Sequence, residues 1–192
     1  MAQLSSLPLA VAVGVHEAIR QSLPSSAIPV RIKWPNDILV DGGKACGILI
    51  ESEGLADGRR AVVIGCGINI AHCPDAGLYP VTCLAEKGGT SSPQDVFARL
   101  FIAMADALER WDCGRGLAVT RSDWLARAGG VGSPVTVNLP DREIRGHFET
   151  IDAEGRLVLL TADGHKQAIA AGDVFFQTPG PDLDRKLDDK RP

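Results

Sequence analysis

Residues 29–50 read PVRIKWPNDILVDGGKACGILI, and residues 60–70 read RAVVIGCGINI. These two runs decide the fold. Pro29 to Trp34 alternates apolar and basic side chains, as a half-buried strand does. Pro35-Asn36-Asp37 interrupts that run, and Ile38-Leu39-Val40 resumes it. Asp41-Gly42-Gly43 is a strong hairpin signal, because Asp-Gly and Gly-Gly adopt positive φ at little cost. Cys46–Ile50 returns as the next strand, and Arg60–Ile70 follows after a turn at Gly54–Gly58. Strands in series joined by short turns predict an antiparallel meander rather than βαβ units.

Outward from this meander, the chain predicts a buried amphipathic helix over residues 7–22. Leu9, Ala12, Val13, His16 and Ile19 lie at helical spacing, with Glu17 and Arg20 elsewhere on the wheel. That stretch is too short to span a bilayer and carries no Lys or Arg before Arg20, so neither a membrane anchor nor a signal peptide is expected. Residues 71–90 are irregular. Ser92-Pro93-Gln94-Asp95 is a helix start, with an N-cap, a proline in the first turn and an acid three residues on. Val96, Phe97, Leu100, Phe101, Met104, Leu108 and Trp111 then form an apolar stripe that reads as core. A second helix runs from Leu117 to Ala128. Beyond Gly129-Gly130 short strands predict a small barrel: Pro134–Leu139, Ile144–Asp152, Arg156–Thr161, His165–Ala170 and Val174–Gln177. The expected organisation is a domain of helices and meander over 1–129, a barrel over 130–177 and a disordered tail over 178–192.

The chain has 192 residues, 45% hydrophobic and 23% charged, with a formal net charge of −4. It is long enough to bury a core and too apolar for intrinsic disorder. Its 20 Lys+Arg against 24 Asp+Glu argue against a general nucleic-acid binder. The five cysteines are Cys46, Cys66, Cys73, Cys83 and Cys113, an odd number with no CxxC pair. Zinc ribbons and thioredoxin-type motifs are therefore unsupported. His72-Cys73 lacks a second close pair, and small thiols in a reducing cytoplasm are the plain reading.

Two standard nucleotide motifs fail. Gly65-Cys66-Gly67-Ile68-Asn69-Ile70 has Ile70 where a dinucleotide fingerprint needs glycine, and Gly43-Lys44 is followed by Ala45 where a P-loop needs Ser or Thr. What remains is Lys33-Trp34-Pro35-Asn36-Asp37, Lys44 with Gly47, and Gly65-x-Gly67-Ile68-Asn69, on consecutive strands whose ends can converge. Trp34 offers an apolar wall, Asn36 and Asn69 offer donors and acceptors, and Lys44 offers positive charge. The glycines would let a ligand approach the backbone. That suits a small molecule with an apolar body and an anionic group. The same residues also fit a plain turn, a surface lysine and strand-packing glycines.

KWPNDILVDGGKACGILIE followed by VVIGCGINIAH resembles the central part of biotin protein ligases. The family pattern is a KWPND segment, a GK-x-x-G-I-L hairpin and a GxGxN strand, in that order. GRLVLLTADG and IAAGDVFF are similar to the family's SH3-like C-terminal domain. The resemblance runs from about Leu7 to Gln177. It implies an α+β fold: a mixed, largely antiparallel sheet packed with helices, as in biotin/lipoate ligases, followed by a small SH3-like β-barrel. It also implies ATP-dependent activation of biotin as biotinyl-5′-AMP, with Mg²⁺ as the phosphate partner. Transfer to a lysine of a biotin carboxyl carrier domain of a carboxylase would follow.

By the same resemblance Lys44 is the catalytic lysine, set against the biotin carboxylate and the adenylate phosphate. Gly47, Ile48 and Gly67 match the biotin-pocket wall. Lys33, Trp34, Asn36, Asp37 and Asn69 match the ATP and adenylate side, Asp37 being also the candidate metal ligand. Family members carry, upstream of the helix at Leu7, a Ser/Thr-rich segment and a Gly/Arg-rich loop that folds over the adenylate. Gly58-Arg59-Arg60 is the nearest string here and lies on a hairpin turn. The expectations are therefore an N-terminally truncated member, weak binding of biotin or ATP by this chain alone, and an exposed strand edge that favours a homodimer. No DNA-binding or membrane role is expected. The alternatives are a lipoate or octanoate ligase-type acyltransferase and a non-catalytic module that binds biotin or the carrier.

Overall fold

The computed structural model describes residues 2–74 and 80–176. The expected disordered tail at 178–192, and Gln177 at the end of the expected last strand, lie outside those residues. Two antiparallel sheets are joined by a helical layer, as the α+β reading requires.

The first sheet has the order β1 (Val30–Lys33), β2 (Asp37–Val40), β3 (Gly43–Gly54) and β4 (Arg60–Ile68). Every neighbouring pair is antiparallel, so the expected meander is present. Asp41 (φ 50°) and Gly42 (φ 81°) make the β2–β3 turn. Two positive φ values match the twist of the flanking strands, and an Asx-Gly pair reaches them cheaply. The Trp34–Pro35 peptide, between β1 and β2, is cis.

A four-residue turn of helix, α1 (Ala2–Ser5), leads into α2 (Leu7–Gln21), and α2 differs from a one-sided amphipath. Val11, Val15 and Ala18 are as buried as Leu9, Val13 and Ile19. A helix apolar on all sides is a core helix. It packs on α3 (Pro93–Trp111), α4 (Leu117–Arg127) and β1. At the α2–α3 crossing a Cβ on Gly14 would lie 3.2 Å from the Ala103 carbonyl oxygen, so glycine sets the close approach. The Trp111 indole N–H donates to Ser6 Oγ at 2.8 Å and fastens the far end of the same pair.

The start of α3 is the capping box read from the sequence: Ser92 Oγ accepts from Asp95 N while the Asp95 carboxylate accepts from Ser92 N. Its apolar stripe is only partly buried. Phe97 and Phe101 are 67% and 69% exposed, and Ile102 joins them on the surface. The buried ridge is Val96, Ala103, Ala107 and Trp111, with Leu100 half-buried in line. Two adjacent ridges are apolar, and only the one with small residues fits against Gly14.

The second sheet has the order β8 (Lys166–Ile169), β7 (Leu157–Leu160), β6 (Glu143–Ile151), β5 (Pro134–Asn138) and β9 (Asp173–Phe176). Its inward residues include Val135, Val137, Phe148, Ile151, Leu157 and Leu159, all fully buried. Alternation puts Val135 with Val137 and Leu157 with Leu159 on one face, and a register shift between Phe148 and Thr150 brings Ile151 inward beside Phe148. The two units share a core. Trp124 of α4 packs on Phe148 with ring centroids 6.5 Å apart. Arg121 donates to the Ile151 carbonyl at 2.7 Å, and the Trp34 indole donates to the Gly155 carbonyl at 3.0 Å. No helix among the described residues is long and apolar enough to cross a membrane.

Candidate functional site

Register places the site residues in one row. Lys33 pairs with Asp37 across β1–β2, Asp37 with Gly47 across β2–β3, and Gly47 with Gly67 across β3–β4. Cross-strand partners present their side chains on the same face. The row therefore reads cation, anion, and two positions with no side chain. A register shift between Ile38 and Leu39 lets Lys44 come in beside the row.

The carboxylate of Asp37 sits between two ammonium groups. Lys44 Nζ is 2.7 Å from Oδ1, and Lys33 Nζ is 3.5 Å from Oδ2. The Asp37 and Lys33 side chains are 10% and 7% exposed, whereas that of Lys44 is 38% exposed. Lys33 is thus the buried counterion, and Lys44 is the one that faces solvent.

Over the two glycines the sheet opens into a cleft of about 650 Å³. Asn36, Asp37, Lys44, Gly47, Ile48, Leu49, Gly65, Cys66 and Gly67 line it, with Asp173 from β9. Small-molecule sites run from about 300 to 1,000 Å³. The glycines are not there for packing. A Cβ on Gly67 would meet nothing closer than the Gly47 carbonyl oxygen at 3.9 Å, and one on Gly65 nothing closer than the Leu49 carbonyl oxygen at 3.8 Å. A Cβ on Gly47 would stand 3.5 Å from Lys44 Cε. Side chains there would fill the cleft rather than collide with the protein.

Two asparagines hold the frame. Asn36 Nδ2 donates to the Ile48 carbonyl at 2.7 Å, and Ile48 N donates back to the Asn36 carbonyl at 2.9 Å. That reciprocal pair ties the Pro-Asn-Asp turn to β3. Asn69 Nδ2 donates to the carbonyls of Lys44 (3.3 Å) and Thr82 (3.0 Å). Lys44 N donates to the Pro80 carbonyl and accepts, through its own carbonyl, from Thr82 N. The backbone of Lys44 is fixed on several sides while its side chain remains at the cleft.

Of the residues singled out from the sequence, Asn36, Asp37, Lys44, Gly47, Ile48 and Gly67 meet at the cleft. Ile48 contributes through its backbone edge, its side chain being buried. Lys33 stands behind Asp37, and Asn69 acts on the Lys44 backbone. Trp34 does not line this cleft. Its buried ring lines a separate cavity of about 420 Å³ with Leu9, Pro35, Gly155 and Arg156. Asp173 and Cys66 were not anticipated. Cys66 pairs with Ile48, so it too meets the cleft through its backbone while its thiol packs against the core, where burial pushes the thiol pKa up. Asp173 comes from a sheet distant in sequence, and only its place after a glycine in GDVFF marks it.

Residues 2–69 match the biotin/lipoate A/B protein ligase family, and residues 130–177 match the biotin protein ligase C-terminal domain. The chain is 37% identical over 181 residues to the biotin–[acetyl-CoA-carboxylase] ligase of Paracoccus denitrificans, covering 90% of this chain and 73% of that protein. It is 30% identical over 171 residues to the Mycobacterium tuberculosis protein of the same name, covering 88% of this chain and 61% of that one. The chain thus spans less than two thirds of the latter's length. The structure resembles the Aquifex aeolicus biotin protein ligase solved in complex with biotin and ATP, with a TM-score of 0.72 and 23% identity over 91% of this chain and 72% of that one. Motif order, fold and sequence identity agree: the chain belongs to the biotin protein ligase family.

Proposed function

We propose that this chain activates the carboxylate of biotin with ATP, giving biotinyl-5′-AMP and pyrophosphate. The biotinyl group then passes to a lysine amine on a biotin carboxyl carrier domain, forming an amide and releasing AMP. The observation that carries this reading is the row Lys33–Asp37–Gly47–Gly67, with the solvent-facing Lys44 beside an open floor. The names of the relatives support it, as does the Aquifex complex with biotin and ATP.

The first step brings a carboxylate to a phosphate, two anions that repel until positive charge is fixed between them. In this reading the apolar body of biotin lies over Gly47, Gly65 and Gly67, against Leu49. Its carboxylate points to Lys44. In the resting protein Lys44 is held by Asp37, so the incoming anion exchanges one carboxylate partner for another at low cost. Asn69 and Thr82 keep the Lys44 backbone still while the side chain swings, which keeps the reacting atoms near attack distance. Lys33 stays against Asp37 and prevents an uncompensated buried carboxylate when Lys44 leaves.

A hard divalent cation takes one or two carboxylates plus phosphate oxygens and keeps several waters. The donor set fits: Asp37 and Asp173 are the two carboxylates of the cleft lining. When bound there, Mg²⁺ would neutralise phosphate charge. The five free thiols suit a reducing compartment, the cytoplasm. An exposed strand edge at β4, the end of its sheet, is where a homodimer would pair.

The test is intact-mass analysis of a biotin carboxyl carrier domain incubated with this chain, biotin and MgATP. A gain of one biotinyl group that requires both substrates supports the reading. Modification by lipoate in place of biotin, or no modification at all, would overturn it.

A further inference from the structure

The segment that follows β4 brings together two thiols and a carboxylate that the cleft does not use. The Sγ atoms of Cys73 and Cys83 and a carboxylate oxygen of Glu86 all lie within 4.8 Å of one another. Cys83 is buried, Cys73 half-buried and Glu86 exposed, so the cluster has a protein side and an open side. Cys83 lies ten positions after Cys73, too far apart for the spacing to mark a zinc pair.

We propose that Cys73, Cys83 and Glu86 form a zinc site, with the fourth position open to water. Thiolates and a carboxylate are the donors a Zn²⁺ ion accepts, and three protein ligands plus water is a common arrangement. The surroundings hold the donors in place. Leu84 N donates to the Asn69 carbonyl and Ala85 N to the Ile70 carbonyl, both at 2.9 Å, so the second and third ligands ride on backbone pinned to the end of β4. The Ala85–Lys87 turn of 3-10 helix brings Glu86 back over Cys83, and Thr82 Oγ1 donates to the Glu86 carboxylate at 3.2 Å. The adjacent cation Lys87 is directed to Asp41, 2.7 Å away.

On binding, two S–H bonds give their protons to solvent and two S–Zn bonds form. The consequence is local. Thr82 and Asn69 clasp the Lys44 backbone, so the metal would fasten the segment that frames the cleft.

The experiment uses the full chain, dialysed against zinc and then against buffer, with metal content measured by mass spectrometry. Cobalt(II) is loaded in parallel, and the thiolate-to-cobalt charge-transfer band is recorded. The expected result is about one zinc per chain and a clear cobalt–thiolate band. Both are lost in Cys73→Ser and retained in Cys113→Ser. Because Cys83 is buried and its variant could misfold, Glu86→Gln on the exposed side serves as the second ligand test, and its cobalt spectrum should shift. A wild-type chain without bound zinc, a cobalt band that survives Cys73→Ser, an unchanged spectrum in Glu86→Gln, or recovery of Cys73 and Cys83 only as a disulfide would each overturn the assignment. None of these outcomes depends on ligase activity, so the failure of one proposal leaves the other standing.

Discussion

Valine at position 67 should make the protein more stable and its cleft less able to bind. Gly67 lies inside β4, opposite Gly47, and its φ is ordinary for a strand. An added Cβ would meet only the Gly47 carbonyl oxygen at 3.9 Å, an ordinary contact. Glycine within a strand costs roughly 0.5–1 kcal/mol relative to alanine, and a β-branched side chain suits the pleat. In a domain of this size each kcal/mol moves Tm by about 2–4 °C. Gly67→Val should therefore raise Tm by about 1–4 °C. The same isopropyl group stands on the floor of the cleft. Overfilling a fitted site costs about 1–3 kcal/mol, so biotin should bind about 5–150-fold more weakly. Scanning calorimetry and isothermal titration on the same preparation read both effects. A lower Tm with unchanged biotin affinity would show that the glycine serves strand packing, and would refute the open-floor argument.

Asp37→Ala removes a buried carboxylate from between two ammonium groups and should cost about 3–5 kcal/mol in urea unfolding; a loss under 1 kcal/mol would contradict its bridging role. Burial lowers the His16 pKa from 6.5 to about 4, outweighing the bond that its Nε2 makes with the Val30 carbonyl. The unfolded chain then binds the extra proton first. Stability from this residue is complete above pH 6.5 and falls as pH drops towards 4, by about 3 kcal/mol in all. His16→Gln should flatten that part of the stability–pH curve, and an unaltered slope would place the titration elsewhere. Trp34→Phe deletes the indole bond to Gly155 and should cost about 1 kcal/mol; no change in the denaturation midpoint would mean that this bond does not help fasten the two sheets.

Both sheets were legible because their signals are local. Asp41-Gly42 dictates a turn whatever surrounds it, and the alternating run after Gly130 puts Val135 and Val137 on one face without reference to any partner. The Ser92–Asp95 box is equally self-contained. Helix faces were harder, since a face is defined by what packs on it. Phe97 and Phe101 look like core on a wheel, yet Gly14 of α2 admits only the ridge carrying Ala103 and Ala107. Site residues divide the same way. Asp37, Lys44, Gly47 and Gly67 follow from strand order and register. Trp34, whose ring suits an apolar wall of the site, faces the second sheet instead. Asp173 and the Cys73–Cys83–Glu86 cluster depend on chain segments meeting in space, which no spacing rule reports.

The central claim is that Lys44 carries the positive charge for joining biotin to ATP. Biotin-dependent exchange of pyrophosphate into ATP, measured for the wild-type chain and for Lys44→Ala, tests it most directly. Its ion pair with Asp37 is partly exposed and worth about 0–1 kcal/mol, so the variant should stay folded with nearly the same Tm. Loss of one stabilising donor should lower the exchange rate about 10²–10³-fold. A folded Lys44→Ala protein that exchanges pyrophosphate as fast as the wild type would contradict the account.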